Sequence, residues 1–222
     1  MTATHDHGAP ASNAPSESTP AWRLLATLAL GGAFAGALVA NVYQRTLPAI
    51  QRSADEKIGG AVHEVLGAPT RLDTLYLVGD KLSRTPPTGV EIREVRKVFI
   101  GFDDKGARIG AAVEAAEPGF VDDVHLMVGF NPATSALTGY VVLGQKETPG
   151  LGDKIEKDTV FIGRFKGKLA PIKGTKNSTA DPSMVQTITG ATISSRAVIK
   201  IINDAVALWQ PRLAAFEKEG GK

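Results

Sequence analysis

The chain has no cysteine among its 222 residues. Thiolate zinc sites, iron–sulfur ligation and disulfides within the chain are therefore excluded. The sequence also has no GxGxxG dinucleotide fingerprint and no ligand set for a metal cluster, so we predict neither a metal site nor a catalytic residue. Aromatic residues make up only 6%, the net charge is +2, and no basic run is interleaved with aromatics. These features argue against nucleic-acid binding.

The first 21 residues predict a disordered tail. They are rich in Ala, Pro, Ser and Thr and show no apolar period. His5 and His7 are more typical of solvated side chains than of metal ligands. The remaining composition, with 43% hydrophobic and 22% charged residues overall, is that of a globular protein with room for one core.

A single transmembrane helix is predicted over residues 22–44. Leu24–Tyr43 carries no charge, and 20 residues at about 1.5 Å each span the roughly 30 Å of the hydrocarbon layer. Trp22 and Arg23 at one end, with Tyr43 and Arg45 at the other, suit membrane interfaces. The segment therefore favours a retained single-span anchor.

A cleaved signal peptide is the alternative interpretation of this segment. Only Arg23 precedes the apolar run as a cation, and Leu38 would occupy the −3 position if cleavage followed Ala40, so the small-x-small pattern is missing. Orientation is poorly specified by charge. The C-terminal side of the segment carries three cations, Arg45, Arg52 and Lys57, and the N-terminal side carries only Arg23. Because cations favour the cytoplasmic side, this count disfavours a cytoplasmic N-terminus.

The predicted fold class is α+β, a membrane helix followed by an antiparallel-sheet domain with flanking helices. A connecting helix is predicted over 45–70, amphipathic from Pro48 to Leu66 and ended by Gly67 and Pro69. The soluble domain is predicted over 71–215, with a tail at 216–222. Strand patterns cover 72–78, 95–102, 107–115, 124–130 and 136–143, with hairpin turns at 103–106 and 131–134. For residues 158–165 the pattern does not distinguish a strand from a short helix. Residues 193–209 predict a helix that Pro211 ends.

A glycine-bracketed turn follows the last predicted strand, in the sequence ETPGLGDKI of residues 147–155. Gly150 and Gly152 leave the backbone bare on both sides of Leu151, which lets a flat ligand approach the main chain closely. Leu151 suits packing against a ring. Other side chains of the segment suit hydrogen bonds and charge: Glu147, Thr148 and Lys154. From the residues alone, a plain turn with a solvated rim remains open.

The last predicted helix begins in a hydroxyl-rich segment, TITGATISS at residues 187–195. A helix start offers unpaired N–H groups and the positive end of the helix dipole, so it suits an anion, above all a phosphate. Gly190 and Ala191 keep the space beside Thr192 small. A hydroxyl at this point also suits covalent attachment of a phosphate. The alternative is that Ser194 or Thr192 is a simple N-cap.

Together, ETPGLGDKI and the later TGATISSRAV resemble the FMN-binding domain of the G subunit of the Rnf electron-transport complex. A related domain occurs in the C subunit of the sodium-pumping NADH:quinone reductase. Gly119-Phe120 and Val128-Gly129-Phe130 also resemble the family's pattern ahead of the turn. The resemblance covers the anchor and essentially all of residues 45–215.

In that family the last Thr of [ST]GAT carries FMN through a phosphoester bond, which implies Thr192 as the attachment point. The resemblance also implies that the turn at residues 147–152 faces the isoalloxazine ring. The expected cofactor-binding neighbours of Thr192 are Thr189, Gly190, Ala191, Ile193 and Ser194. A separate flavin transferase makes the bond outside the cytoplasm, taking FMN from FAD. Gln186 stands where the family usually has Asp, which predicts slower flavinylation if the transferase reads that carboxylate.

The resemblance implies an electron-carrier subunit of a bacterial inner-membrane translocase that couples electron transfer between ferredoxin and NAD to ion movement. It implies a cytoplasmic N-terminus and a periplasmic flavin domain, against the charge count. Expected partners are the other Rnf-type subunits, the transferase and the lipid bilayer. Three alternatives stay open: a C-type subunit of the NADH:quinone reductase, a cofactor-free membrane-anchored assembly module, and a free-standing extracytoplasmic flavin reductase.

Overall fold

The computed structural model describes residues 20–178 and 180–220, so the predicted tail before residue 20, with His5 and His7, lies outside the described residues. The chain divides between Arg52 and Ser53 into two compact units. Helix α1 spans Ala21–Leu66 and includes both the predicted membrane segment and the predicted connecting helix. Within the described residues, α1 is the one helix long and apolar enough to cross a membrane.

Six antiparallel strands form the main sheet of the second unit, in the order β2-β1-β3-β4-β5-β6. The strands are β1 (Arg71–Val78), β2 (Lys81–Ser83), β3 (Lys97–Phe102), β4 (Arg108–Pro118), β5 (Asp123–Phe130) and β6 (Leu137–Gly144). The helices are α2 (Lys154–Lys157), α3 (Thr159–Gly163) and α4 (Thr192–Lys218), and β7 (Lys173–Thr175) pairs in parallel with β8 (Met184–Gln186). The predicted α+β class is confirmed.

Both predicted hairpins are confirmed, and side-chain oxygens fix their turns. Between β3 and β4, Asp103 Oδ1 accepts the N–H groups of Lys105 at 3.0 Å and Ala107 at 2.7 Å. Gly106 has φ +76°, a conformation that glycine adopts without strain. Between β5 and β6, Asn131 Oδ1 accepts the N–H of Ala133 at 2.9 Å. Such local bonds favour the turn over continued strand.

The sheet lies between two helical layers. Buried side chains of α4, among them Val198, Ile202 and Trp209, share one core cluster with the sheet. The last turns of α1 pack on the other face, where Val62 and Val65 meet Met127 in a second cluster. Because both faces are covered, five apolar residues of the β5 strand are buried rather than alternating: Val124, Leu126, Met127, Val128 and Phe130.

Gly129 explains how closely α1 approaches the sheet. A Cβ at this position would lie 2.8 Å from Val65 Cβ and 2.9 Å from the Val65 carbonyl oxygen. No side chain fits there, so the helix backbone rests directly on β5. The end of α1 at Leu66 is as predicted, because Gly67 takes φ +72° and breaks the helical path.

The predicted end of the last helix at Pro211 is wrong. Helix α4 contains Pro211 and continues to Lys218. Proline in a helix interior removes one hydrogen bond and costs about 3 kcal/mol. Leu213 lies about half a turn beyond Pro211 and is only 1% exposed. Burying a leucine contributes roughly 1.5–3 kcal/mol, which offsets that cost. Residues 159–163 form the short helix that the sequence left open, and β2, β7 and β8 were not predicted.

Candidate functional site

The glycine-bracketed turn and the start of α4 come together and line one cavity of about 370 Å³. Nine of the twelve residues predicted to bind the cofactor lie in this lining: Glu147, Thr148, Leu151, Gly152, Gly190, Ala191, Thr192, Ile193 and Ser194. The other three, Thr189, Gly150 and Lys154, are exposed and do not line it. The two motifs, far apart in sequence, therefore form a single site.

The start of α4 is uncapped. Ala191 is the N-cap residue, with φ −129°, and no side chain accepts a capping hydrogen bond there. Among the described residues, the first N–H of the helix that has a hydrogen-bond partner is that of Ser195. It donates to the Ala191 carbonyl oxygen at 3.0 Å. The N–H groups of residues 192–194 therefore remain available to an anion.

The simple N-cap interpretation of Thr192 or Ser194 is wrong. The Ser194 hydroxyl donates instead to the Glu147 carboxylate. The next hydroxyl, on Ser195, accepts the Ile188 N–H at 3.0 Å and donates to the Ala191 carbonyl oxygen at 2.8 Å. These bonds fix the backbone before and at the helix start. The Thr192 side chain is half-buried at the cavity wall.

Glu147 fastens three segments of the site to one another. Its carboxylate is buried, with the residue only 5% exposed. Oε1 accepts the N–H groups of Phe120 at 2.8 Å and Val121 at 3.1 Å, and Oε2 accepts the Ser194 hydroxyl. A carboxylate that is buried and accepts three hydrogen bonds is both satisfied and rigid. Glu147 thus positions the loop after β4, the turn and the helix start.

Two glycines make room for this carboxylate. A Cβ on Gly152 would lie 2.6 Å from Glu147 Oε2 and 2.9 Å from Ser194 Oγ. A Cβ on Gly119 would meet Glu147 Oε1 and would lie 2.8 Å from the Asp122 carbonyl oxygen. The sequence predicted that the bare backbone at Gly152 lets a flat ligand approach. In the structure, the packing of Glu147 and Ser194 already requires a glycine at this position.

Gly190 and Gly150 serve a different purpose. Both take positive φ, +83° and +77° respectively, so each permits a turn that other residues would strain. The space where a Gly190 side chain would project holds only Leu151 Cδ2, at 3.4 Å. Leu151 and Ile193, 47% and 52% exposed, leave apolar surface at the cavity. An apolar surface next to free backbone donors suits a ligand with a flat ring system and an anionic group.

Phe120 is a lining residue to which the sequence reasoning gave no role. The residue is 63% exposed and lines the cavity, while its N–H donates to Glu147. The Gly119-Phe120 dipeptide was visible in the sequence as part of a family pattern, and that was its only signal. The structure adds that the position is fixed by a carboxylate 27 residues further along the chain.

The lysines near the turn do not line the cavity. Lys146 Nζ lies 2.6 Å from Asp122 Oδ2, and this hydrogen bond raises the pKa of Lys146 and lowers the pKa of Asp122. Lys154 is exposed at the first position of α2. Among the residues that line the cavity there is no lysine or arginine. Within the lining, the helix start is therefore the source of positive potential.

Gln186 and His125 lie apart from the cavity lining. The Gln186 side-chain amide donates to the Lys176 carbonyl oxygen at 3.1 Å, and the backbone carbonyl oxygen of Gln186 accepts from the Arg164 guanidinium at 3.0 Å. His125 is exposed on β5, opposite Gly144 of β6. Both residues therefore contact other parts of the fold and not the cavity.

Residues 119–207 match the FMN-binding domain family, a span that holds both motifs and the Phe120 loop. The chain is 30% identical to the G subunit of the ion-translocating oxidoreductase complex of Aliivibrio fischeri (strain MJ11), over 81% of this chain and 85% of that protein. It therefore carries an FMN-binding domain. The chain belongs to the family of G subunits of ion-translocating oxidoreductase complexes.

Two further comparisons concern the family and the fold. The G subunit of the Na⁺-translocating ferredoxin:NAD⁺ oxidoreductase complex of Acetobacterium woodii is 32% identical over 53% of this chain and 56% of that protein. The crystal structure of Shewanella oneidensis NqrC is similar in fold, with TM-score 0.53 and 19% identity over 69% of this chain and 88% of that one. The fold is thus shared with a C-type subunit, while the sequence likeness is to G subunits.

Proposed function

We propose that this chain is a one-cofactor electron carrier that holds FMN through a phosphoester on Thr192, within a membrane-bound complex that couples electron transfer to ion translocation. The observation that carries the proposal is the uncapped start of α4 at the cavity, with a threonine hydroxyl as its first helical residue. The family relation supports the cofactor and the complex.

The environment of Thr192 fits a phosphodiester. One negative charge would remain on the phosphate after attachment, and the N–H groups of residues 192–194 would face it. A helix N-terminus stabilises such a charge by about 0.3–2 kcal/mol. Ser194 and Ser195 already donate elsewhere, so their hydroxyls do not compete for the same anion.

The surroundings of the cavity fit a planar ring. Phe120, Leu151 and Ile193 present exposed apolar surface from three separate segments, and all three line the same cavity. Glu147 holds the loop of Phe120 against the helix start through hydrogen bonds. Because these segments are fixed to one another, a ring placed among them keeps one position relative to Thr192.

The roles divide between cofactor and protein. FMN, when bound, supplies the redox chemistry. The residues of this chain tether it, orient it and stabilise its phosphate. None of the lining residues is assigned a proton transfer. We therefore assign this chain no substrate chemistry of its own.

Attachment requires a flavin transferase that uses FAD. The Thr192 Oγ attacks the phosphorus next to riboflavin, forming the Oγ–P bond. The P–O–P linkage breaks, AMP leaves, and the threonine hydroxyl proton is released to solvent. No electrons are exchanged in this step. A tether of this kind keeps the cofactor bound on a side of the membrane without a flavin pool, so we place the domain in the periplasm with the N-terminus in the cytoplasm.

Ferredoxin and NAD are proposed as the distant ends of the electron path. The relative from Acetobacterium woodii belongs to a ferredoxin:NAD⁺ oxidoreductase complex, which supports this pair. The Gln186 position bears on the rate of maturation only, since its side chain is bonded to Lys176 and does not line the cavity. The other subunits, the transferase and the lipid bilayer are the partners that this proposal requires.

Fluorescence of denatured protein on a gel tests the attachment. The chain is produced with its transferase, as wild type, Thr192→Ala and Thr189→Ala. We expect flavin fluorescence for wild type and Thr189→Ala, and none for Thr192→Ala. Thr189 is the matched control, since it belongs to the same motif and does not line the cavity. A fluorescent Thr192→Ala band contradicts attachment at Thr192. A dark wild-type band contradicts the proposal and favours the cofactor-free alternative.

A further inference from the structure

The glycine-bracketed turn contains a polar side chain that the attachment chemistry does not use. Thr148 lines the flavin cavity and is half-buried. Among the described residues, none forms a hydrogen bond with the Thr148 hydroxyl. A hydroxyl in the cavity wall that has no protein partner is available to a ligand in that cavity.

The backbone holds Thr148 firmly in the turn. Its carbonyl oxygen accepts the N–H groups of Leu151 at 3.1 Å, Gly152 at 3.0 Å and Asp153 at 3.4 Å. Pro149 follows directly and further restricts the backbone of Thr148. The three N–H groups are therefore used within the turn, and the Thr148 side chain starts from a rigid main chain.

The other polar side chains of the lining already have a role. They are Glu147, Thr192 and Ser194. The Ser194 hydroxyl donates to the Glu147 carboxylate, which also accepts two backbone N–H groups. Thr192 is the proposed attachment point, so its oxygen would carry the phosphate. Within this lining, Thr148 therefore has the one side-chain hydroxyl that stays available to the flavin ring.

The isoalloxazine ring needs such a group at one edge. Its pyrimidine end carries four hydrogen-bond acceptors in the oxidised state, N1, O2, O4 and N5, and a single donor, N3–H. The apolar lining residues Phe120, Leu151 and Ile193 suit the faces of the ring and offer this edge no side-chain hydrogen bond. Because acceptors outnumber donors at the edge, a hydroxyl that reaches it satisfies it best as a donor.

We propose that the Thr148 hydroxyl donates a hydrogen bond to the pyrimidine edge of the FMN ring and thereby raises the reduction potential of the flavin. This inference rests on the proposed function, since it requires FMN on Thr192. Reduction adds electrons to the ring and increases the negative charge on its acceptor atoms. A hydrogen bond to a more negative acceptor is stronger, so the bond stabilises the reduced ring more than the oxidised ring. Thr148 keeps its proton throughout.

Redox titration of the flavin-loaded chain tests this role. Wild type, Thr148→Val and Thr148→Ser are each matured with the transferase. Because the flavin is tethered at Thr192, it stays on the chain when the contact with Thr148 is lost. At the ambient potential where half of the wild-type flavin is reduced, we expect the ratio of reduced to oxidised flavin to fall about fivefold in Thr148→Val. Thr148→Ser keeps the hydroxyl and should remain close to wild type.

Thr159→Val is the matched control. Thr159 is an exposed threonine at the first position of α3 and does not line the cavity. The same substitution there should leave the reduction potential unchanged. Thr148→Ala removes the hydroxyl without placing a methyl group where it was, and it should lower the potential as Thr148→Val does.

The outcomes separate this inference from the proposed function. A wild-type chain without tethered flavin on a denaturing gel overturns both. A fluorescent wild-type chain whose potential is unchanged or raised by Thr148→Val, or a Thr148→Ser chain that behaves as Thr148→Val does, overturns the inference alone. A crystal structure of the flavin-loaded wild-type chain decides even if the variants fail to fold. It should place Thr148 Oγ1 within about 3.2 Å of a ring nitrogen or oxygen, and a clearly longer distance overturns the inference.

Discussion

The two ends of α4 face two cavities that obtain positive potential in different ways. At the start of the helix, the lining contains no lysine or arginine, and the donors are backbone N–H groups beside Thr192. At the far end, the lining contains three arginines. The helix dipole favours anions at the first end and opposes them at the second. Of the two linings, only the one at the end of the helix therefore contains basic side chains.

Removing the carboxylate that organises the first end should have the largest effect. Glu147→Ala leaves the N–H groups of Phe120 and Val121 and the Ser194 hydroxyl without their acceptor. We expect a loss of at least about 3 kcal/mol in the free energy of unfolding. Three hydrogen bonds to a charged group are lost, each contributing about 1.5–3 kcal/mol, while the cost of burying the carboxylate is relieved. Urea denaturation measures it.

Glu156→Ala is the control for that variant. Glu156 is exposed, and its carboxylate accepts from Gln145 at 2.9 Å. Its removal should cost less than about 1 kcal/mol. Equal losses for the two variants would show that Glu147 has no special place in the site.

Filling the space beside the same carboxylate should have the next largest effect. Gly152→Ala puts a methyl group 2.6 Å from Glu147 Oε2 and 2.9 Å from Ser194 Oγ. Overpacking of this kind costs about 1–3 kcal/mol, and the displaced Ser194 should also slow flavin attachment. Thermal unfolding and the rate of labelling by the transferase measure both effects.

Gly163→Ala is the matched control, since a Cβ there meets nothing within 4 Å. It should leave stability and labelling close to wild type. If Gly152→Ala behaves as Gly163→Ala does, the site tolerates movement of Glu147 and the positioning role is incorrect.

A charge introduced at the start of α4 should have a smaller effect on flavin attachment, and its direction should depend on the sign of the charge. Ile193 is 52% exposed in the first turn of α4. Ile193→Glu adds a competing negative charge there, and Ile193→Lys adds a positive one. We expect Glu to lower and Lys to raise the initial rate of flavin attachment by about two- to fivefold relative to Ile193→Gln, which corresponds to about 0.3–1 kcal/mol. Identical rates for the two charged variants would contradict a role of the helix dipole in flavin attachment.

Acid stability should change least. The Lys157 ammonium, 2.7 Å from Asp153, lowers the pKa of that carboxyl. A carboxyl whose pKa is lower in the folded state contributes stability above its unfolded pKa of about 3.9, and this is lost as the pH falls through the folded value. Asp153→Asn should therefore flatten the decline of stability below about pH 4. Urea midpoints between neutral pH and pH 3 measure it, and an unchanged slope contradicts it.

The sequence predicted those parts of the molecule that local patterns determine. The hairpin at Asp103–Gly106 and the helix end at Gly67 depend on neighbouring residues, and both are confirmed. The two motifs of the candidate site were recognised, and the fold brings them to one cavity. Strands of three residues, such as β7 and β8, are too short to show a period of two.

Long-range contacts were not predictable in the same way. The bond from Ser194 to Glu147 spans 47 positions, and no local pattern encodes it. Gly152 was interpreted as room for a ligand because the sequence does not show the carboxylate beside it. The continuation of α4 through Pro211 depends on the burial of Leu213 against the sheet, a tertiary effect that outweighs the local preference.

Tandem mass spectrometry of the flavin-bearing peptide tests the central claim most directly. Trypsin cleavage after Lys176 and Arg196 yields residues 177–196, a peptide that contains every hydroxyl of the TITGATISS segment. For protein matured with its transferase, the account predicts FMN minus one water on Thr192 alone. An unmodified peptide, or the same mass on Thr189, Ser194 or Ser195, would contradict it.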